Sequence, residues 1–354
     1  MSNPVDSRNA VAPGVSVVVC CHNGASRLPV TLAYLQKQCV PASLAWEVIL
    51  VDNASNDGTA EVAKKVWQNA PKTTLRIIRE ERLGLTIARE RSLTEARYEV
   101  VTFVDDDNWV SDRWVQRVFE VMTEHPEVGA CGGFSTAASE VELPIWFERY
   151  KNYYAVGPPL AESGDITESI GMLWGAGMTI RRSAWHRLTQ GGFRFLTKLT
   201  GEDHELSLAL RLSGWRLWLD RELTMQHFMP AGRLSWGYFC KLQRSRNDIL
   251  VDVDAYFFAL RARKSGGLKP AEMTWRSQVL GVLRAIAINV VRRPTKTFFP
   301  LSERFEGDPD VFRIESYKGR LRGLRRSRRN YAANVAAVLD APYARPGEGA
   351  PLRH

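Results

Sequence analysis

The sequence predicts an α/β fold, a mostly parallel sheet with helices on both faces, followed by a helical and basic C-terminal extension. Three observations carry this. Short apolar runs alternate with helix-spaced segments through the first half of the chain. Those runs are unbroken and rich in β-branched residues, as in strands buried on both faces. The charge is also uneven: residues 261–354 hold 20 Lys and Arg against 8 Asp and Glu, whereas residues 1–260 hold 28 against 31.

Taken in order, VSVVVCC (15–21) reads as the first buried strand, and HNGAS leads from it into LPVTLAYLQKQ at helical spacing. WEVILVD (46–52) is a second strand, and the turn NASNDG opens a helix at TAEVAKKVWQ. TLRIIR (74–79) precedes the helix GLTIARERSLTEA and the strand YEVVTFVD (98–105). Ser111 and Asp112 are N-cap signals for the helix in SDRWVQRVFEVMTEH, and VGACGGF follows as a strand. Residues 135–170, aromatic and rich in Pro and Gly, predict a long loop or flap. LWGAGMTIRRSAW (173–185) is a strand turning into a helix. GEDHELSLALRLSGW (201–215) is an acid-headed helix closed by Gly214, and WRLWLD is a short strand with MQHFMP beyond it. From about 236 the pattern is helical and basic. The expected division is a disordered tail 1–14, a catalytic domain 15–235 with halves 15–134 and 135–235, an extension 236–340, and a disordered tail 341–354.

A chain of 354 residues buries a sizeable core, and its 45% hydrophobic and 25% charged content is ordinary for a soluble protein. Five cysteines show no CxxC pair and no zinc spacing, so reduced thiols are expected. The N-terminus has no apolar signal region, and no stretch reaches the ~18–20 apolar residues of a spanning helix. The expectation is a cytoplasmic protein, peripheral on the inner face of the cell membrane through residues 275–329. A solvated basic helix packed on the catalytic domain is the other reading of that region. Nucleic acid is disfavoured, because aromatic residues are not interleaved with the basic ones.

The chemistry centres on FVDDDNW (103–109). Three adjacent carboxylates repel one another and resist desolvation, so Asp105, Asp106 and Asp107 form either a solvated loop or a cation site. Mg²⁺ and Mn²⁺ prefer such oxygens. His22 with Asn23, Asp52 with Asn53, and the triplet all follow predicted strands, at the carboxyl ends where ligands gather in parallel sheets.

The ordered series VSVVVCCHN, VDNASNDGT, GLTIARERSL, FVDDDN, GAGMTIRRSAW and GEDHEL resembles the family 2 glycosyltransferases, which have the nucleotide-diphospho-sugar (GT-A) fold. The likeness spans roughly residues 15–245. It is nearest to bacterial polysaccharide-assembly members and loosely similar to the hormogonium-polysaccharide type. It implies that Asp52 binds the nucleotide base, with His22 and Asn23 shaping the pocket. Arg89 would reach the nucleotide or its phosphates, although Glu90 stands where the family usually has Asn. Asp105 and Asp107 match the DxD pair, Asp105 toward the ribose and Asp107 on Mn²⁺ or Mg²⁺, with Asp106 sharing in nucleotide binding.

The resemblance further implies that Asp203 is the catalytic base, with Glu202 as next candidate, and that His227 is a metal or phosphate ligand. Arg233 and Arg244 would face the diphosphate, and Trp174 and Gly175 the sugar. His204 is expected to be a surface side chain. The implied activity is inverting, metal-dependent hexosyl transfer from a UDP-sugar to a glycan or lipid-linked acceptor. Additions would be single, since FCKLQRSRND lacks QxxRW. One rival is a sugar-nucleotide nucleotidyltransferase, whose phosphate loop CCHNGASRL lacks. The other is a non-catalytic binding or scaffold protein.

Overall fold

In the computed structural model, which describes residues 12–68, 73–157, 162–198, 200–265, 273–300 and 303–344, the first apolar run is a central strand. β1 (Ala12–Cys21) pairs in parallel with β2 (Trp46–Asn53) on one side and β4 (Tyr98–Phe103) on the other, and β2 pairs in parallel with β3 (Leu75–Glu80). Strand order therefore reverses at β1, which opens a crevice at the carboxyl ends. Helices α1 (Leu28–Gln36), α2 (Thr59–Trp67), α3 (Leu85–Glu95) and α4 (Trp114–Glu124) link and cover these strands. Val15, Val17 and Val19 point into the cluster holding Leu28, Leu32 and Trp114. Val18 points to the other face, among Ala88 and Leu93 of α3. Coverage on both faces is why the run never alternates with polar residues.

The second half is mixed rather than parallel. β5 (Asn108–Val110), β6 (Val128–Ser139), β7 (Gly164–Asp165), β8 (Thr179–Arg181) and β9 (Arg216–Met229) complete the order β3-β2-β1-β4-β8-β6-β9-β5, with β7 against β9. β8 runs antiparallel to β4 and β6, β5 antiparallel to β9, and β6 parallel to β9.

Three expectations are corrected here. WRLWLD is only the first part of the 14-residue β9, which continues through MQHFM. His227 is therefore within the strand, not beyond it. The exposed Arg221 and Glu222 lie where the β6–β9 register shifts, and this irregularity hides the continuation. Residues 135–170 are not one loop. β6 takes the first of them, then α5 (Phe147–Tyr150) and a 3₁₀ turn (Lys151–Tyr154) bury Trp146, Phe147, Tyr150 and Tyr154 beside Trp236 and Phe239. Finally, α4 starts at Trp114 with Arg113 as its N-cap and no side-chain cap bond, so Ser111 and Asp112 do not cap it.

α6 (Arg182–Gln190) and α7 (Glu202–Leu212) precede β9, after which the chain is helical: α8 (Trp236–Ile249), α9 (Asp254–Ser265), α10 (Trp275–Arg292), α11 (Pro294–Phe298), α12 (Pro309–Ser327) and α13 (Tyr331–Leu339). Val251, Tyr256, Leu324 and Tyr331 share one core cluster with Ile180 and Leu208, so these helices are built onto the sheet. The expected tails fall largely outside the described residues. At their inner ends the chain is ordered, since β1 begins at Ala12 and Tyr343 and Ala344 are buried in a 3₁₀ turn. All five cysteines are free, and no helix among the described residues is long and apolar enough to cross a membrane.

Candidate active site

The acidic triplet after β4 resolves its own repulsion by divergence, each carboxylate meeting a different arginine. Asp105 accepts from Arg89 Nη2 at 3.0 Å. Asp106 turns back toward β1 and α1, where its Oδ2 accepts from Arg27 Nη2 at 2.7 Å and from the Cys21 thiol at 3.1 Å. Asp107 turns the other way, accepting from Arg233 Nη1 at 2.8 Å, with His227 Nε2 3.6 Å from its Oδ1. Burial pushes Asp106 up despite Arg27. Burial also acts to raise Asp107, but His227 and Arg233 outweigh it and hold that carboxyl below its usual range.

His227 reaches Asp107 because β9 pairs with β5, setting His227 opposite Asn108. Its Nδ1 lies 2.7 Å from the Tyr154 carbonyl. A carbonyl can only accept, so Nδ1 carries a proton and Nε2 faces the carboxylate. Burial works against the charged ring, but the hydrogen bond and charge of Asp107 prevail and raise its pKa.

A cavity of about 370 Å³ opens between this acidic loop and α7. Arg89, Asp105, His227 and Arg233 line it together with Trp174, Gly175, Glu202 and Asp203. α7 begins sharply because Gly201, with φ of +93°, turns the chain into it. Asp203 Oδ1 accepts from the His204 backbone N–H and ring Nδ1, both at 2.7 Å, and Oδ2 accepts from the Gly175 N–H at 2.9 Å. Arg246 Nη2 lies 3.2 Å from His204 Nε2 and can only donate, which puts the ring proton on Nδ1, toward Asp203. Burial alone would raise Asp203, yet His204 and Arg89 more than reverse it, and the carboxyl stays well below its usual range.

Arg89 is the bolt between the two walls. Only 3% exposed, it bonds Glu202 at 2.8 Å, Asp105 at 3.0 Å and the Gly175 carbonyl at 3.1 Å. A Cβ at Gly175 would stand 2.5 Å from Arg89 Nη1, so the approach requires glycine. Burial pushes Glu202 up to about 7 against the pull of Arg89.

The structure brings together Arg89, Asp105, Asp107, Trp174, Gly175, Glu202, Asp203, His227 and Arg233. His22, Asn23 and Asp52 form a separate knot at the ends of β1 and β2. His22 Nδ1 lies 2.7 Å from the Asn53 carbonyl, and the Asn23 N–H donates to Ser55 Oγ at 3.0 Å. Asp52 accepts from Ser55 N at 3.1 Å and Arg79 Nη1 at 2.7 Å. Asn23 and Ala54 adopt positive φ of 49° and 56°, which marks both strand exits as constrained.

Two further corrections concern arginine and histidine. Arg244, expected at a diphosphate, is instead held by the fully buried Glu315 of α12. His204 is not a surface side chain but the group that orients Asp203. Sequence reasoning also missed Arg27, and it gave no individual role to Asn53, whose Oδ1 accepts from Gly84 N at 2.8 Å and ties β2 to α3. Adjacency to Asp203 was the one available signal for His204; the others depend on contacts between distant segments.

The family described as "Glycosyl transferase family 2" matches residues 16–189. TuaG of Bacillus subtilis, a glycosyltransferase named for teichuronic acid biosynthesis, is 29% identical over 129 residues, which is 36% of this chain and 49% of that one. Glycosyltransferase AglE of Haloferax volcanii is 30% identical over 105 residues, 30% of this chain and 34% of that one. The chain thus spans half or less of the length of these relatives. The crystal structure of S. aureus TarS 1–349 in complex with UDP-GlcNAc aligns with 90% of this chain and 92% of that one, with a TM-score of 0.50 at 18% identity. That likeness is one of fold. Within the sheet described above, residues 16–189, which hold Asp105 and Asp107 beyond β4, match a family 2 glycosyltransferase domain.

Proposed function

We propose that this enzyme is an inverting glycosyltransferase that moves a hexosyl group from a nucleotide-diphospho-sugar, a UDP-sugar, to a hydroxyl of a glycan or lipid-linked acceptor in bacterial polysaccharide assembly. The reading places it in the cytoplasm, at the inner face of the membrane. The observation that carries it is Asp203. His204 and Gly175 occupy three of its four acceptor positions, and its side chain is 18% exposed at the cavity, so one position on Oδ2 remains for a substrate hydroxyl.

In this reading the acceptor O–H donates to Oδ2 while its oxygen attacks the anomeric carbon from the face opposite the diphosphate. The new C–O bond forms, the bond to the diphosphate breaks with its electron pair, and the proton passes to Asp203. A carboxylate held well below its usual range is a weak base. It suffices, because the attacking hydroxyl becomes strongly acidic only as its bond to carbon forms. Arg233 also lines the cavity, and its guanidinium would meet charge developing on the leaving group. Arg89 positions rather than reacts, since both of its terminal nitrogens are already bonded.

Asp107 and His227, with Asp105 beside them, would hold Mn²⁺ or Mg²⁺. Carboxylate oxygens and an imidazole nitrogen, with Nε2 of His227 facing Asp107, are donor types such ions accept, though among the described residues no three such side chains are gathered as a metal site. The bound ion would neutralise the diphosphate. Asp52, with His22 and Asn23, would serve the base from the β1–β2 knot.

The test is calorimetric titration of UDP, GDP and their sugars with Mn²⁺ and with chelator, on wild type and Asp107→Ala, followed by transfer assays with Asp203→Asn. Metal-dependent binding of one nucleotide, lost in Asp107→Ala, supports the donor and metal assignments. Binding unaffected by chelator removes the metal. Full turnover in Asp203→Asn removes the base.

A further inference from the structure

The large exposed apolar residues of the C-terminal helices are concentrated in one place. Leu280, Leu283, Ile288 and Val291 lie on one side of α10 at helical spacing, from 43% to 82% exposed, and Phe298 and Phe299, each 66% exposed, follow it. The other side of α10 holds the buried Val282 and Asn289 and packs on α12, where the Trp275 indole donates to the Leu324 carbonyl at 2.6 Å. Single exposed apolar side chains need no explanation, but a continuous stripe of them does.

Charge identifies what covers the stripe. Residues 273–300 contain no Asp or Glu. Arg276, Arg284 and Arg292 are exposed along the same side, and none makes an ion pair among the described residues. α12, which carries the Arg-rich stretch RLRGLRRS (320–327), is the opposite case. Arg320 is held by Asp254, Arg322 by Asp248, and Arg326 by Asp248 and Asp252. Much of the positive charge of α12 is thus neutralised inside the molecule, while that of α10 stays available.

We propose that α10 and α11 lie on an anionic lipid bilayer, with the apolar stripe at the headgroup–acyl boundary and the three arginines on lipid phosphates. A second copy of this chain is a poorer occupant, since pairing the face with itself would oppose the same unpaired arginines. The position is also apt. The Trp236 indole donates to the Pro300 carbonyl at 3.1 Å, and Trp236 opens the helix that carries Tyr238 and Arg246 to the cavity. The ledge therefore ends beside the site, where a lipid-linked acceptor would arrive.

The experiment is flotation of the full chain with phosphatidylcholine vesicles, with and without phosphatidylglycerol, at low and high salt and without nucleotide. The expected result is binding only with phosphatidylglycerol, weakened by salt. Each of Arg284→Gln and Arg292→Gln should lower partitioning about fivefold, and Val291→Glu should abolish it. Arg322→Gln and Arg326→Gln on α12 should change it less than either α10 variant. Circular dichroism and UDP binding verify that each variant is folded.

Absence of flotation overturns the proposal, as does an equal loss from the α12 variants. A dimer in solution that Val291→Glu dissociates would assign the face to a second copy instead. Because no donor is present, failure here leaves the transfer reading untouched, and failed transfer leaves this one untouched.

Discussion

Two buried ionic networks flank α8, and they differ in completeness. Along α12, Glu315 meets Arg244 and Lys318, Asp254 meets Arg320 and the Tyr331 hydroxyl, and Asp248 and Asp252 share Arg326. Around α7, by contrast, Asp203 keeps an acceptor position, Arg89 Nε has no partner, and Asp107 and His227 face each other at 3.6 Å. A saturated network fixes one packing. An unsaturated one, retained in a buried place, has capacity left for a ligand. The difference separates structural charge from chemical charge without reference to residue type, since both networks are built from Asp, Glu and Arg.

The sharpest way to break this comparison is Asp203→Asn. Asn keeps an oxygen for the two His204 donors, loses only the Gly175 bond and cannot take a proton, so kcat should fall about a thousandfold while the unfolding midpoint drops only slightly. A large loss of stability would place Asp203 with the structural network. Glu315→Gln should do the reverse. Denaturant titration should show a loss of about 2 kcal/mol, at the low side because Arg244 and Lys318 remain partly in water, with kcat unchanged.

A smaller effect sharpens the donor side. Arg233→Gln should weaken UDP binding about tenfold in calorimetry, the cost of one charge-assisted hydrogen bond, with little change in stability. The smallest concerns pH. Asp203 must be ionised to act, and its pKa is held down by His204. His204→Gln should therefore move the acid limb of kcat/KM to higher pH, whereas an unchanged profile would deny His204 this role.

The parallel half of the sheet was legible because burial on both faces leaves a run such as VSVVVCC no polar position. β9 was not, since its apolar pattern breaks at Arg221 and Glu222, where only the partner strand β6 shows that the chain continues extended. For the site, local sequence placed Asp105, Asp107 and Asp203 at the ends of elements. It placed Arg233 and Arg244 alike, although one reaches the cavity and the other Glu315. Both are solvated-looking basic residues in the sequence, and the carboxylate each meets lies 126 and 71 residues away, in the turn after β4 and in α12.

The sequence by itself determined the order of strands and helices, the crevice at their carboxyl ends and the acids that occupy it, because these follow from local periodicity and from where buried runs stop. Tertiary structure alone decided how three adjacent aspartates part toward Arg89, Arg27 and Arg233, that His204 orients Asp203, and that α12 is largely neutralised while α10 is not. The physical reason is that an ionic group acts through the partner it meets. Arg27 and Arg233 lie 79 and 126 residues from the aspartates they meet, and even the adjacent His204 is aimed by Arg246, 42 residues on; only the packing of the whole chain sets these contacts.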